Sequence, residues 1–141
     1  MNSPPRVLIG PLEKAYASLL LALDAHQAAP GDALIRDALI QRFEYTYELA
    51  WKLMKRYLEV EHGEEDPDRW SRRDLFRIGA EAGLILSPDP WFEFMRMRNL
   101  TSHTYNEETA QRVASVVPGF AKDCGAFIDE IRRRLSGTTP H

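Results

Sequence analysis

Residues 43–59 read FEYTYELAWKLMKRYLE, and the spacing of their apolar positions decides the fold class. Phe43, Tyr47, Ala50, Trp51, Met54 and Leu58 recur mostly at three- and four-residue steps, the period of one buried helix face and not the two-residue alternation of a strand. The stripe reaches back to Leu39. No Gly or Pro interrupts the chain from Asp32, a residue type suited to capping a helix, to about His62. Roughly thirty helical residues would span about 45 Å, a length that suits a helical bundle.

Working outward, Leu12, Tyr16, Leu19, Leu20 and Leu23 predict a first helix that Pro30-Gly31 ends. Beyond the long helix, HGEEDPD reads as a loop. Ser71 with Asp74 three positions later resembles a capping box and opens a shorter helix that ends near Gly83. After SPDP, Trp91, Phe94, Met95 and Arg98 are expected on one face of a helix from about Pro90 to the region of Ser102. Thr104 or Asn106, followed by Glu107 and Glu108, is expected to cap a last helix striped by Ala110, Val113, Val117, Cys124, Ile128, Ile131 and Leu135. Pro118-Gly119 interrupts that stripe, and a kink is expected there rather than two separate helices. The closing SGTTPH reads as a frayed tail. With no strand alternation, repeat or long linker, the expectation is all-α: one domain over residues 1–141 with an ordered core of about 10–136.

Composition narrows the function. Cys124 is the only cysteine, and its apolar helical setting makes it a small core residue, with no disulfide or redox framework. MNSPPRVLIGP carries only a short apolar run, so a cytoplasmic protein with no membrane span is expected. A formal net charge of −3 gives no global field for nucleic acid, leaving any RNA contact to a local basic patch. RWSRRDLFR, with Arg69, Arg72, Arg73 and Arg77, is one such patch, and a solvated helix face is its plainer reading.

The chemistry gathers in MRMRNLTSHTYNEET, residues 95–109, where Arg98, Asn99, His103 and Tyr105 meet at a helix junction. On an ideal helix Asn99 and His103 stack on one face, whereas Arg98 and His103 are roughly 140° apart. Arg98 and His103 converge only if the helix ends or distorts between them, or if a second copy of the chain completes the site. A histidine gives and takes protons near neutral pH, and an arginine offers a planar fork of donors to phosphate. Metal-independent RNA cleavage needs a base for the 2′-hydroxyl, an acid for the leaving oxygen and a cation for the phosphorane. The plainer alternative is a histidine bonded to a carbonyl and Arg98 paired with Glu93 or Glu107.

FEYTYELAWKLMKRYLE (43–59) and RNLTSHTYNEETA (98–110) resemble the two signature segments of the nucleotidyltransferase substrate-binding proteins, a branch of the HEPN superfamily. The resemblance covers nearly the whole chain, and Arg98 to His103 fits the Arg-x4-6-His motif of HEPN ribonucleases, with Asn99 as the polar follower. It implies an up-and-down bundle of four to five helices, a homodimer with the motif at a shared cleft, and a neighbouring minimal nucleotidyltransferase as antitoxin or catalytic subunit. In the toxin branch it further implies RNase activity by Arg98 and His103 on an RNA substrate, silenced by adenylylation of Tyr105. A phosphodiester on Tyr105 would set an anion beside Arg98 and His103 in competition with the RNA phosphate. The alternative is a non-catalytic substrate-binding subunit in which Arg98 and His103 hold an anion.

Other chemistries find little support. His26, His62, His103 and His141 lack metal-ligand spacing, no glycine-rich phosphate loop is present, and no cofactor is expected. Phe43, Tyr47 and Trp51 read as core or dimer interface rather than a base-stacking platform. Glu44, Glu48 and Lys52 read as surface pairs, with Glu44 or Glu48 facing a dimer cleft as the alternative.

Overall fold

The computed structural model describes residues 7–63 and 70–137, and among them the chain forms five helices and no strand. These are α1 (Gly10–Ala28), α2 (Ala33–His62), α3 (Arg72–Glu81), α4 (Asp89–His103) and α5 (Glu107–Leu135). The readings placed on residues 1–6, on most of the HGEEDPD loop, on Arg69 and on the last four residues lie outside the described residues.

Capping chemistry sets the boundaries. The Asp32 carboxylate accepts from the Leu34 and Ile35 amides at 2.9 and 3.2 Å, satisfying donors that the first turn of α2 leaves free. Ser71 and Asp74 form the capping box of α3. At its other end Gly83 adopts φ 79°, and the Gly83 and Leu84 amides donate to Ala80 and Gly79 carbonyls, a Schellman stop that a Cβ would strain. Of the two residues considered for capping α5, Asn106 does so, accepting from the Thr109 amide at 2.8 Å. Thr104 closes α4 instead. One helix runs through Pro118, as expected, because the exposed Pro118 and Gly119 are bracketed by Val117 and Phe120, both fully buried.

The helices pack as a bundle, with α1 along α2, α5 against α1, α2 and α4, and the short α3 bridging α2 and α4. Phe43, Phe94 and Trp91 surround Phe120 edge-on at centroid distances of 5.0, 5.1 and 6.0 Å, so the α2 stripe meets both α4 and α5 in one aromatic core. Tyr16 donates across the bundle to the Ala121 carbonyl at 2.8 Å, passing Gly125, where any side chain would collide with its hydroxyl. On α4 the core face is Trp91, Phe94 and Met97, with Met95 only partly buried. The spacing predicts Met95 on that face, but the core lies on the Trp91–Phe94–Met97 side of α4 and buries Met97 completely. The arginines of the α3 patch lie over rings: Arg72 over Trp51 at 4.0 Å, and Arg73 and Arg77 over Phe92 at 5.2 and 5.5 Å. Those contacts make the patch a packed cation–π layer.

Burial pushes the Tyr47 phenol up to about 12. Both folded and unfolded chains keep it protonated below its ordinary value of ~10, so its contribution is complete there and is lost as pH rises toward 12. Denaturant titrations should show about 2–3 kcal/mol less stability at pH 12 than at pH 9 from this group. Tyr47→Phe should lack that part of the loss; an identical alkaline profile in both chains would contradict it.

Candidate functional site: the Arg98 groove and the α4–α5 junction

The long helix α2 carries a second stripe beside its apolar one. Asp37, Gln41, Glu44 and Glu48 fall at steps of four, three and four residues, on one face. The functional side chains of α4 and the following turn dock on that polar face. Arg98 Nη1 lies 2.9 Å from Glu44 Oε2, and Arg98 Nε lies 3.5 Å from Glu48 Oε1. Thr101 donates to the same Glu44 oxygen at 2.9 Å, and Arg98 Nη1 also donates to Ser102 Oγ at 2.5 Å. Glu48 in turn accepts from Trp51 Nε1 at 3.0 Å and has Lys52 at 4.0 Å. Arg98 is therefore held on α2, and Glu93 pairs with Arg96 and Glu107 with Arg36 instead. Glu44 and Glu48, read as surface pairs, are the partners of the motif arginine.

Asn99 and His103 face outward and are exposed. Among the described residues no carbonyl or side chain hydrogen-bonds the His103 imidazole, so its plainer reading as a carbonyl-bonded helix end does not hold. Because α4 stays helical through His103, the helix neither ends nor breaks between the two motif residues. One chain turns Arg98 toward α2 and His103 toward solvent. Tyr105 leaves the helix end and returns to the start of α2, where its hydroxyl donates to Asp37 Oδ1 at 2.5 Å with the ring 52% exposed. Desolvation, then the hydrogen bond to Asp37 and its charge, push the phenol up to about 12, with Glu44 adding and Arg36 opposing. From Asp37 to Glu44 is two helical turns, so the phenol and the guanidinium sit roughly 10 Å apart along one face of α2.

Arg98, Glu44 and Glu48 also form one wall of a groove of about 920 Å³ between α1 and α2. Lys14 and Arg42 add positive charge to it, and Tyr45, 61% exposed, offers an open ring. Sequence reasoning missed Tyr45 and Asp37. Both were discoverable as α2 positions off the apolar stripe, Asp37 as the first member of the polar one. Among the described residues no group of three or more His, Cys, Asp or Glu side chains is placed to hold a metal ion, and no helix is long and apolar enough to cross a membrane.

The Arg-x4-His-x-Tyr run thus occupies the end of α4 and the turn after it, with Arg98 and Tyr105 docked on the polar face of α2. The model of the family described as nucleotidyltransferase substrate binding protein like matches residues 8–133, and the chain belongs to that family. The resemblance read from the two signature segments is thereby borne out. A Haemophilus influenzae protein named "Probable ribonuclease HepT" is 36% identical over 104 residues, 73% of this chain and 70% of that protein. A solved H. influenzae structure, described as having the fold of a substrate binding domain of a nucleotidyltransferase, matches at TM-score 0.77 and 29% identity over 86% of this chain and 96% of its own. The tri-AMPylated Shewanella oneidensis HEPN toxin, solved in complex with its MNT antitoxin, matches at TM-score 0.68 and 21% identity over 88% of this chain and 92% of its own, a likeness of fold.

Proposed function

We propose that this chain is the HEPN toxin of a toxin–antitoxin pair: a homodimeric, metal-independent endoribonuclease silenced when a minimal nucleotidyltransferase adenylylates Tyr105. The observation that carries the reading is the division of the motif. Arg98 is preset against α2 by two carboxylates, while His103 and Asn99 stand at the surface of α4, the helix that carries all three. An imidazole with no structural partner is available for proton transfer, and one per chain serves only one transfer at a time. Two chains facing each other supply a base and an acid, with the two arginines stabilising the phosphorane. The ribonuclease name of the H. influenzae relative and the AMPylated state of the Shewanella toxin point the same way. Tyr105 supports the silencing step, being exposed and set on the face of α2 that also holds Arg98.

The second reading is a non-catalytic substrate-binding subunit whose Arg98 and His103 hold an anion. It is favoured by Glu44 and Glu48, which cancel much of the Arg98 charge an RNA phosphate would need. One experiment separates the two. The chain is expressed alone and beside the partner transferase, and growth and total RNA are followed. Growth arrest and RNA loss that the partner relieves, with cleavage by the purified dimer persisting in EDTA, are expected of the toxin. Harmless expression, a monomer by light scattering at micromolar concentration, or cleavage lost in chelator would overturn that reading.

A further inference from the structure

Among the described residues the Tyr105 hydroxyl has one hydrogen-bond partner, and that partner is itself a chemical group of consequence. Asp37 Oδ1 accepts the phenol hydrogen at 2.5 Å, and the Arg36 guanidinium lies 3.7 Å from the same oxygen. Arg36 is fixed from its other side by Glu107 of α5 at 2.6 Å, and its side chain is only 11% exposed. The Asp37 side chain is 47% exposed, so the carboxylate is open to solvent and to an approaching protein while its geometry is set by α2 and Tyr105. The contact ties one exposed turn to one exposed helix start.

From this geometry we infer that Asp37 is the catalytic base, supplied by the acceptor chain itself, for nucleotide transfer to Tyr105. The inference rests on the reading of Tyr105 as the adenylylation acceptor. The co-reactant is a nucleoside triphosphate carried by the partner transferase. In the transfer the phenol O–H bond breaks and its proton passes to Asp37 Oδ1. The phenol oxygen bonds to the α-phosphorus, and the bond from that phosphorus to the pyrophosphate oxygen breaks, its electron pair leaving with pyrophosphate. A neutral phenol is a poor nucleophile, and this one holds its proton more tightly than a free phenol does. A base already hydrogen-bonded to the hydroxyl removes the need to ionise it beforehand. Arg36 then faces the new phosphodiester anion, so product and Asp37 need not repel each other unscreened. The charged groups around the phenol are Asp37, Arg36 and Glu44 of α2, with Glu107 of α5 acting through Arg36.

The test measures initial rates of AMP addition by intact mass, using the complex of full-length chain and partner transferase with ATP and Mg²⁺ between pH 7 and 9. The substitution Asp37→Asn keeps shape and a hydrogen-bond acceptor but cannot take the proton. It should slow AMP addition roughly a hundredfold or more at pH 7, and its rate should climb about tenfold per pH unit as the phenol ionises unaided. The unaltered chain should stay nearly flat, and Asp37→Glu should restore part of the rate. Complex formation and RNA cleavage should be the same in all three chains. If the unaltered chain is labelled on Tyr105 and Asp37→Asn is labelled at the same rate with the same pH profile, the inference fails and the acceptor reading stands. Loss of complex formation in Asp37→Asn would also overturn it, making Asp37 a docking residue. Labelling that persists in Tyr105→Phe, or no labelling of any chain, would remove the acceptor reading and this inference with it.

Discussion

His103→Ala is expected to cut RNA cleavage by about 10²–10⁴-fold, the usual contribution of a positioned proton-transfer group, and to abolish growth arrest when the chain is expressed without its partner. The substitution is clean because the imidazole is exposed and forms no hydrogen bond among the described residues. Stability should stay within about 0.5 kcal/mol of the unaltered chain, so thermal melts and helical content provide the control. Arg98→Ala should be as inactive but is harder to read, since it leaves Glu44 and Glu48 facing each other with their cation removed. Arg98→Lys is a better companion: it keeps the charge, loses the planar fork, and should remain well below the unaltered chain. In a composite site that draws on both imidazoles, mixing His103→Ala with unaltered chain should lower activity by more than the fraction of altered chain, because each mixed dimer keeps only one imidazole. Cleavage by His103→Ala at the unaltered rate would remove His103 from the proton transfers, whereas no cleavage by the unaltered chain would leave the anion-holding subunit as the reading that stands.

What the sequence made legible follows from range. Asp32, the Ser71–Asp74 box and Asn106 act on amides two or three residues away, so residue type and position suffice to place them. The α2 stripe is legible for the same reason, because helical period is local. The motif's partners were not. Arg98 meets Glu44 and Tyr105 meets Asp37 across 54 and 68 positions, and such pairs are set by how α4 lies on α2. Arg98 could be paired on paper with Glu93, a neighbour on its own helix, but tertiary packing offered it two carboxylates on the facing one. Met97 replaces Met95 in the core on similar grounds: about 200° apart, the two flank the Trp91–Phe94 face on opposite sides, and tertiary packing decides which is buried. The polar stripe of α2 was visible as spacing, yet spacing alone does not say which face receives another helix. That Arg98 and His103 point apart was legible, since roughly 140° separates them on an ideal helix and α4 continues through His103.

Tyr105→Phe should separate toxicity from its control. The phenol oxygen is the atom that would carry the nucleotide, so its removal should eliminate the AMP mass increments seen when the chain is incubated with partner, ATP and Mg²⁺. The ring can keep its place, and the one hydrogen bond lost, to Asp37, should cost about 1 kcal/mol at most at an exposed site. RNA cleavage should persist, because the proton transfers are assigned to His103. Growth arrest should then continue even beside the partner, a change from full protection to none. The experiment also distinguishes two ways of silencing. If the partner works by covering the cleft, Tyr105→Phe is still neutralised although it receives no AMP, and the covalent step is incidental. If it works by modification, a phosphodiester anchored two helical turns along α2 from Glu44 lies against the Arg98 face and excludes the RNA phosphate by charge and by bulk. Protection of Tyr105→Phe equal to that of the unaltered chain would therefore sink the modification route, and undiminished AMP on Tyr105→Phe would show that another residue is the acceptor.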